Sequence, residues 1–261
     1  MTQPQPARQP RRPDPLLYPD VAAVGSLAAA LDECAARNGP AVGAVRATGD
    51  GSPVTARVTS RSPGLDQLTV HLGSAERVFL FAGWGRGVNL TNGSTTDLTE
   101  LAAAAAAWQR GGTLAELHAA APLLVFGALA RAHERGPGHA VAEKWRRCLE
   151  PHPHTDPDLV RAAHAEPRLR VLFPFTSHGS LCFSRCTGYP YTGDVSVIQP
   201  LGAGRYAVHH PGERFSGEPS PTYTAREAAA QVVARLPGTW GPATAGTAHD
   251  LPGTGPDTHG Q

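Results

Sequence analysis

Lysine and isoleucine each occur once in this 261-residue chain, as Lys144 and Ile198, while Ala and Arg abound. The bias is that of a GC-rich genome, so the many arginines carry little weight as a sign of nucleic-acid binding. No long basic block is present and the formal net charge is +1, which disfavours a surface that tracks phosphates. The longest apolar run, around Ala119 to Ala130, is too short and too Ala-rich to span a bilayer. The opening residues MTQPQPARQPRRPDP lack the apolar core of a signal peptide. Cys34, Cys148, Cys182 and Cys186 include no C-x-x-C pair, and a chain of this length does not need disulfide staples. These absences predict a soluble, cytoplasmic, thiol-reduced protein without nucleic-acid or membrane partners.

Catalytic signatures are missing as well. No G-x-G-x-x-G opens a helix after a strand, no phosphate-binding loop of the Walker type appears, and Ser180 lacks the G-x-S-x-G elbow of a hydrolase. Gly83-Trp84-Gly85-Arg86-Gly87 is glycine-rich but runs into Val88-Asn89-Leu90, which reads as a hairpin or bulge.

What is present is a core: 41% of residues are hydrophobic. Its densest stretch is Arg168 to Tyr191. Leu169, Val171, Phe173 and Phe175 alternate along one predicted strand, Ser177-His178-Gly179-Ser180 supplies turn chemistry, and Leu181, Phe183 and Arg185 return as a hairpin partner. Before it, Asp20–Arg37 carries apolar residues at helical spacing up to the stop at Asn38-Gly39-Pro40. Strands are expected at Ala41–Ala47, Val54–Thr59, Gln67–Leu72 and Arg77–Ala82. Asp97 caps a helix to Trp108, with Glu100 placed to complete a capping box.

A helical middle follows, opened by a Thr113/Glu116 capping box and divided at Pro122. After Gly136-Pro137-Gly138, a helix carries the stripe Val141, Trp145, Cys148 and Leu149, with Lys144, Arg146 and Arg147 facing away. Pro157 opens a short helix, strands are expected at Val195–Gln199 and Arg205–His210, and Thr224/Glu227 caps a last helix. Helix, strands, helix thus occurs twice. The prediction is an α+β fold of two pseudo-repeated helix–antiparallel sheet–helix halves (16–110 and 151–240) joined by a helical connector (111–150). Residues 1–15 and 241–261 are expected to be disordered tails.

Candidate chemistry gathers at the hairpin. His178 at its tip, Arg185 on the returning strand, and Tyr189 and Tyr191 beyond combine titratable, cationic and aromatic groups suited to a carboxylate or a peptide. The competing reading makes the aromatics core, Arg185 a structural ion pair and His178 a turn residue. No metal is expected. Cys182 and Cys186 on one strand lie about 13 Å apart at ~3.3 Å per residue, too far to share an ion or a disulfide. His152, His154 and Asp156 alternate in an extended loop, but Asp156 is better used as a helix cap. No cofactor is expected either.

At LRVLFPFTSHGSLCFSRCTGYPY, with AVAEKWRRCLE before it and GRYAV and TAREAAAQVVARLP after it, the chain resembles domain-of-unknown-function family 6193. That family comes largely from high-GC bacteria, and its members are often labelled natural product biosynthesis proteins. The likeness runs from about Leu16 to Trp240 and brings no catalytic residues with it. It implies an accessory or tailoring protein of specialised-metabolite biosynthesis, with a small metabolite or peptide substrate and another biosynthetic protein as possible partner. The alternative is a non-catalytic module, chaperone-like or immunity-like, that holds a partner chain on a sheet edge. Whether the protein is an enzyme is left open by its residues.

Overall fold

The computed structural model describes residues 12–39, 45–49, 51–151, 156–212 and 221–251. The fold is α+β, with two four-stranded sheets whose strands follow chain order, β1-β2-β3-β4 and β5-β6-β7-β8. The chain divides into two compact units, Met1–Gly85 with Asn89–Gly127, and Arg86–Val88 with Ala128–Gln261.

In the first unit the expected helix from Asp20 to Arg37 is two helices, α1 (Pro19–Val24) and α2 (Leu27–Arg37). Gly25 adopts φ 87°, a left-handed conformation that ends α1, and Ser26 at once caps α2 by accepting the Ala29 N–H. The sheet is β1 (Thr55–Thr59), β2 (Gln67–Leu72), β3 (Phe79–Gly85) and β4 (Val88–Thr95). Register sets Ala56 opposite Val70 and Val70 opposite Phe81, and all three are buried. Period-two side chains thus build one apolar face.

Two strand expectations shift. Residues 41–44 of the strand expected at Ala41–Ala47 lie outside the described residues, and Thr48 makes an isolated bridge to Arg57. The fourth strand is Val88–Thr95, reached through the Arg86-Gly87 turn, so the glycine-rich stretch is a hairpin.

Helix α3 (Leu98–Arg110) packs against α2 and buries its Ala tract and Trp108. Asp97 caps it by accepting from Thr99 N–H and Glu100 N–H, but the predicted box is incomplete, because the Glu100 carboxylate accepts instead from the Thr95 hydroxyl at 2.5 Å. The Thr113/Glu116 box that opens α4 (Leu114–Ala120) is complete. Pro122 lies in the turn after α4, not in the first turn of a helix.

The second unit begins with α5 (Ala128–Arg135) and α6 (Pro137–Leu149), which packs against β5 (Phe173–Ser177). Helix α7 (Pro157–Ala165) starts at the Asp156 cap. The strand expected from Leu169 begins late: Pro167–Arg170 forms one helical turn, α8, so Leu169 and Leu172 are buried while Val171 is 37% exposed. The cause is Pro167 at a first helical position, where a fixed φ favours helix.

Strands β5 and β6 (Ser180–Ser184) pair from Phe173 opposite Ser184 to Ser177 opposite Ser180, through a His178-Gly179 turn with φ 48° and 80°. Strand β6 meets β7 (Val197–Gly202) at Leu181 opposite Ile198, and β7 pairs with β8 (Arg205–His209). The Thr224/Glu227 box opens α9 (Ala225–Arg235), which packs on α7 and β8. Phe173, Phe183, Trp145, Ile198, Tyr206 and Val232 form the centre of this core.

Order continues past Trp240, where the sequence shows no pattern. Ala243 N–H donates to Val171 O at 2.9 Å, Thr244 N–H to Arg185 O at 2.9 Å and Gly188 N–H to Gly246 O at 2.7 Å. Backbone donors hold this segment and only the small Ala243 side chain is buried with the core, so hydrophobic periodicity could not announce it. Residues 252–261 lie outside the described residues.

Candidate functional site

The hairpin distributes its four candidate residues unequally. His178 occupies the exposed turn, its imidazole 3.1 Å from the Ser177 hydroxyl. Arg185 follows the far end of β6, separated from the turn by Ser180–Ser184, roughly 16 Å of strand. The two are therefore not brought together. The Arg185 fork is already occupied: Nε and Nη2 both donate to Asp194 Oδ2, the former at 2.8 Å. Its guanidinium also lies 4.5 Å from the centroid of the Trp240 ring. With the two side chains 18% and 29% exposed, this is an ion pair built into the fold.

Tyr189 and Tyr191 are brought together. Their ring centroids are 5.9 Å apart and edge-on at 89°, and Tyr191 continues to Phe175 at 4.4 Å and to Phe173 at 5.6 Å. Exposure falls along the row, from Tyr189 at 66% through half-buried Tyr191 and Phe175 to Phe173 at 1%. The row is a chain of edge-on and tilted ring contacts with one exposed end at Tyr189.

At the Phe173 end stand two residues that sequence reasoning did not place there. The Lys144 ammonium lies 5.8 Å from the Phe173 ring centroid, and the His133 imidazole is 5.9 Å away, tilted by 50°. Lys144 was expected to face away with Arg146 and Arg147. It does not follow them. Glu143 takes both arginines, at 2.7 Å and 2.9 Å, while Lys144 turns to the aromatic face. Among the described residues Lys144 has no carboxylate partner. The signal was in the spacing: Lys144 is three residues after Val141 and four before Cys148, on the edge of the buried stripe.

His133 Nε2 is buried and has no hydrogen-bond partner among the described residues. Burial first, and the nearby Lys144 charge second, push its imidazole down to about 4, so it is neutral at physiological pH. The thiols of this unit are held protonated. Burial pushes Cys182 up to about 11 and raises Cys148 and Cys186 as well. Nucleophilic thiol chemistry needs the opposite shift. Burial also raises the Tyr191 phenol, with Cys186 adding to it.

Asp156 is spent on structure. Its Oδ1 accepts from Asp158 N–H at 3.0 Å and Leu159 N–H at 3.3 Å, and its Oδ2 accepts from the Tyr206 hydroxyl at 2.8 Å. His152 and His154 lie outside the described residues. Among the described residues no group of three or more His, Cys, Asp or Glu side chains is placed to hold a metal, and no helix is long and apolar enough to cross a membrane.

The arrangement presents aromatic faces and, among the described residues, one ammonium without a carboxylate partner and a neutral imidazole nitrogen without a hydrogen-bond partner. It suits an aromatic or peptidic ligand that carries an acid. No curated protein and no solved structure matches the chain. Residues 139–247, which hold this ring row and Lys144, match the model of a family described as a family of unknown function (DUF6193).

Proposed function

We propose that the chain is an accessory protein of specialised-metabolite biosynthesis that binds an aromatic or peptidic metabolite bearing a carboxylate. The ligand stacks on Tyr189, Tyr191 and Phe175, and its acid reaches Lys144. One observation carries this reading: the chain's sole lysine sits half-buried at the end of an aromatic row with no acid of its own among the described residues. A half-buried ammonium without a counter-charge is costly, and an incoming carboxylate relieves it. The metabolic setting rests on the resemblance to DUF6193 proteins. Raised thiol pKa values favour binding over thiol-based transformation.

The sheet-edge reading has weaker support. Strand β5 is an edge of its sheet and carries Pro174, which has no N–H to offer an added strand. The other edge, β8, is met by Tyr223 at Tyr206.

Small-molecule mass spectrometry of the protein purified from its native host tests the proposal. An aromatic or peptidic acid is expected to co-purify and to be lost from Tyr191→Ala. A co-purifying ligand without an acid, or equal loading of the variant, contradicts it.

A further inference from the structure

Helix α6 also borders a groove that the residues of the ring row do not line. The groove, of about 550 Å³, is walled by Val141, Ala142, Trp145, Leu149, Val171 and Ala243. The volume falls in the ~300–1,000 Å³ range of small-molecule sites. Its lining from Gly138 to Leu149 follows about 16 Å of helix at ~1.5 Å per residue, so it fits a long, narrow occupant. Leu149 and Val171 are each 37% exposed there, apolar surface that gains by being covered.

Charge at the groove is of one sign. Arg146, His164 and Arg170 line it, and no carboxylate does among the described residues. Arg146 is neutralised by Glu143 and Glu150. Exposed Arg170 has no ion-pair partner among the described residues. An apolar trough with one uncompensated guanidinium at its rim is complementary to an apolar chain that ends in an anion.

We propose that this groove binds a medium-chain acyl carboxylate, its chain along Ala142, Trp145 and Leu149 and its head group on Arg170. The site is independent of the ring row and stands or falls apart from it.

Titration calorimetry with dodecanoate and with dodecan-1-ol tests the assignment on the full chain. Dodecanoate is expected to bind with one-to-one stoichiometry, and Ala142→Trp, which fills the trough from an exposed position, abolishes binding without changing the melting temperature. Leu149→Glu, a second exposed position, does the same by placing a charge in the apolar trough where the acyl chain lies. Arg170→Gln weakens dodecanoate about tenfold while leaving dodecan-1-ol unchanged, and Tyr191→Ala alters neither. The proposal is overturned if the wild type does not bind dodecanoate, if both groove variants bind it normally, or if Arg170→Gln weakens acid and alcohol alike. It is also overturned if the wild type leaves dodecanoate unbound and forms a dimer that Ala142→Trp abolishes, since the groove is then covered by a second copy.

Discussion

The Lys144 ammonium lies over the ring of Phe173, 5.8 Å from its centroid. A cation on an aromatic face is attracted by the ring quadrupole, but that attraction replaces only part of a lost hydration shell. Lys144 is thus seated on an aromatic face without a carboxylate partner among the described residues.

Phe173 is the hub on which this depends. It is 1% exposed and touches His133, Lys144 and Tyr191 at once. Phe173→Ala is expected to cost roughly 3–5 kcal/mol through lost transfer energy and a cavity, and Phe183→Ala, equally buried, a similar amount. Denaturant unfolding measures both. Wild-type stability in either variant places the core elsewhere.

Arg185 is expected to act on stability and not on ligand. Asp194→Asn leaves a guanidinium at 18% exposure without its counter-charge, for a loss of about 1–3 kcal/mol. Arg185→Lys loses the fork and the stacking on Trp240 and destabilises in the same direction. Normal melting together with weakened binding of an aromatic acid would return Arg185 to the binding site.

Asp156 separates a cap from a hydrogen-bond acceptor. Asp156→Asn keeps a good N-cap and an oxygen for Tyr206, and is expected to cost less than about 1 kcal/mol. Asp156→Ala removes both, for about 2–3 kcal/mol. Equal stability of the two variants refutes the double role.

The sign of the His133 effect follows from its neutral native state. Its folded value is pushed down to about 4 from an ordinary 6.5, so between those pH values the unfolded chain binds more protons. Stability is therefore lost as pH falls through that window, and below it the loss is complete. For a ring only partly shielded from water the loss is discounted to about 1–2 kcal/mol. His133→Gln should flatten the melting-temperature profile between pH 6.5 and 4 relative to wild type. Parallel profiles exclude a neutral buried His133.

Periodicity made much of this legible in the residues. The α+β class, the doubled sheet, the hairpin turn at His178-Gly179 and the Thr113 and Thr224 capping boxes all follow from local patterns, and local patterns dominate there. Elements decided by one backbone angle or by distant donors did not announce themselves. Gly25 broke a helix whose apolar spacing ran on, Pro167 turned the start of a strand into a helical turn, and residues 241–251 are held by main-chain bonds. At the site, Tyr189 and Tyr191 were readable as aromatics near the hairpin. Arg185 as a structural ion pair was one of the two readings open from the residues, but its partner was not readable, because Asp194 reaches it across a loop. Lys144 was obscured by its company: two arginines beside it share Glu143, and only side-chain packing separates it from them.

Lys144 is proposed to take the acid of the ligand, and a comparison of an acid with its amide reads that role out. Binding of 3-phenylpropionate and of 3-phenylpropanamide would be measured by calorimetry on wild type and Lys144→Gln, with melting temperatures alongside. Wild type is expected to prefer the acid by about tenfold or more, about 1.4 kcal/mol, and Lys144→Gln to erase the preference while melting as wild type does. Equal affinity of wild type for acid and amide, or an acid preference that survives in Lys144→Gln, contradicts it.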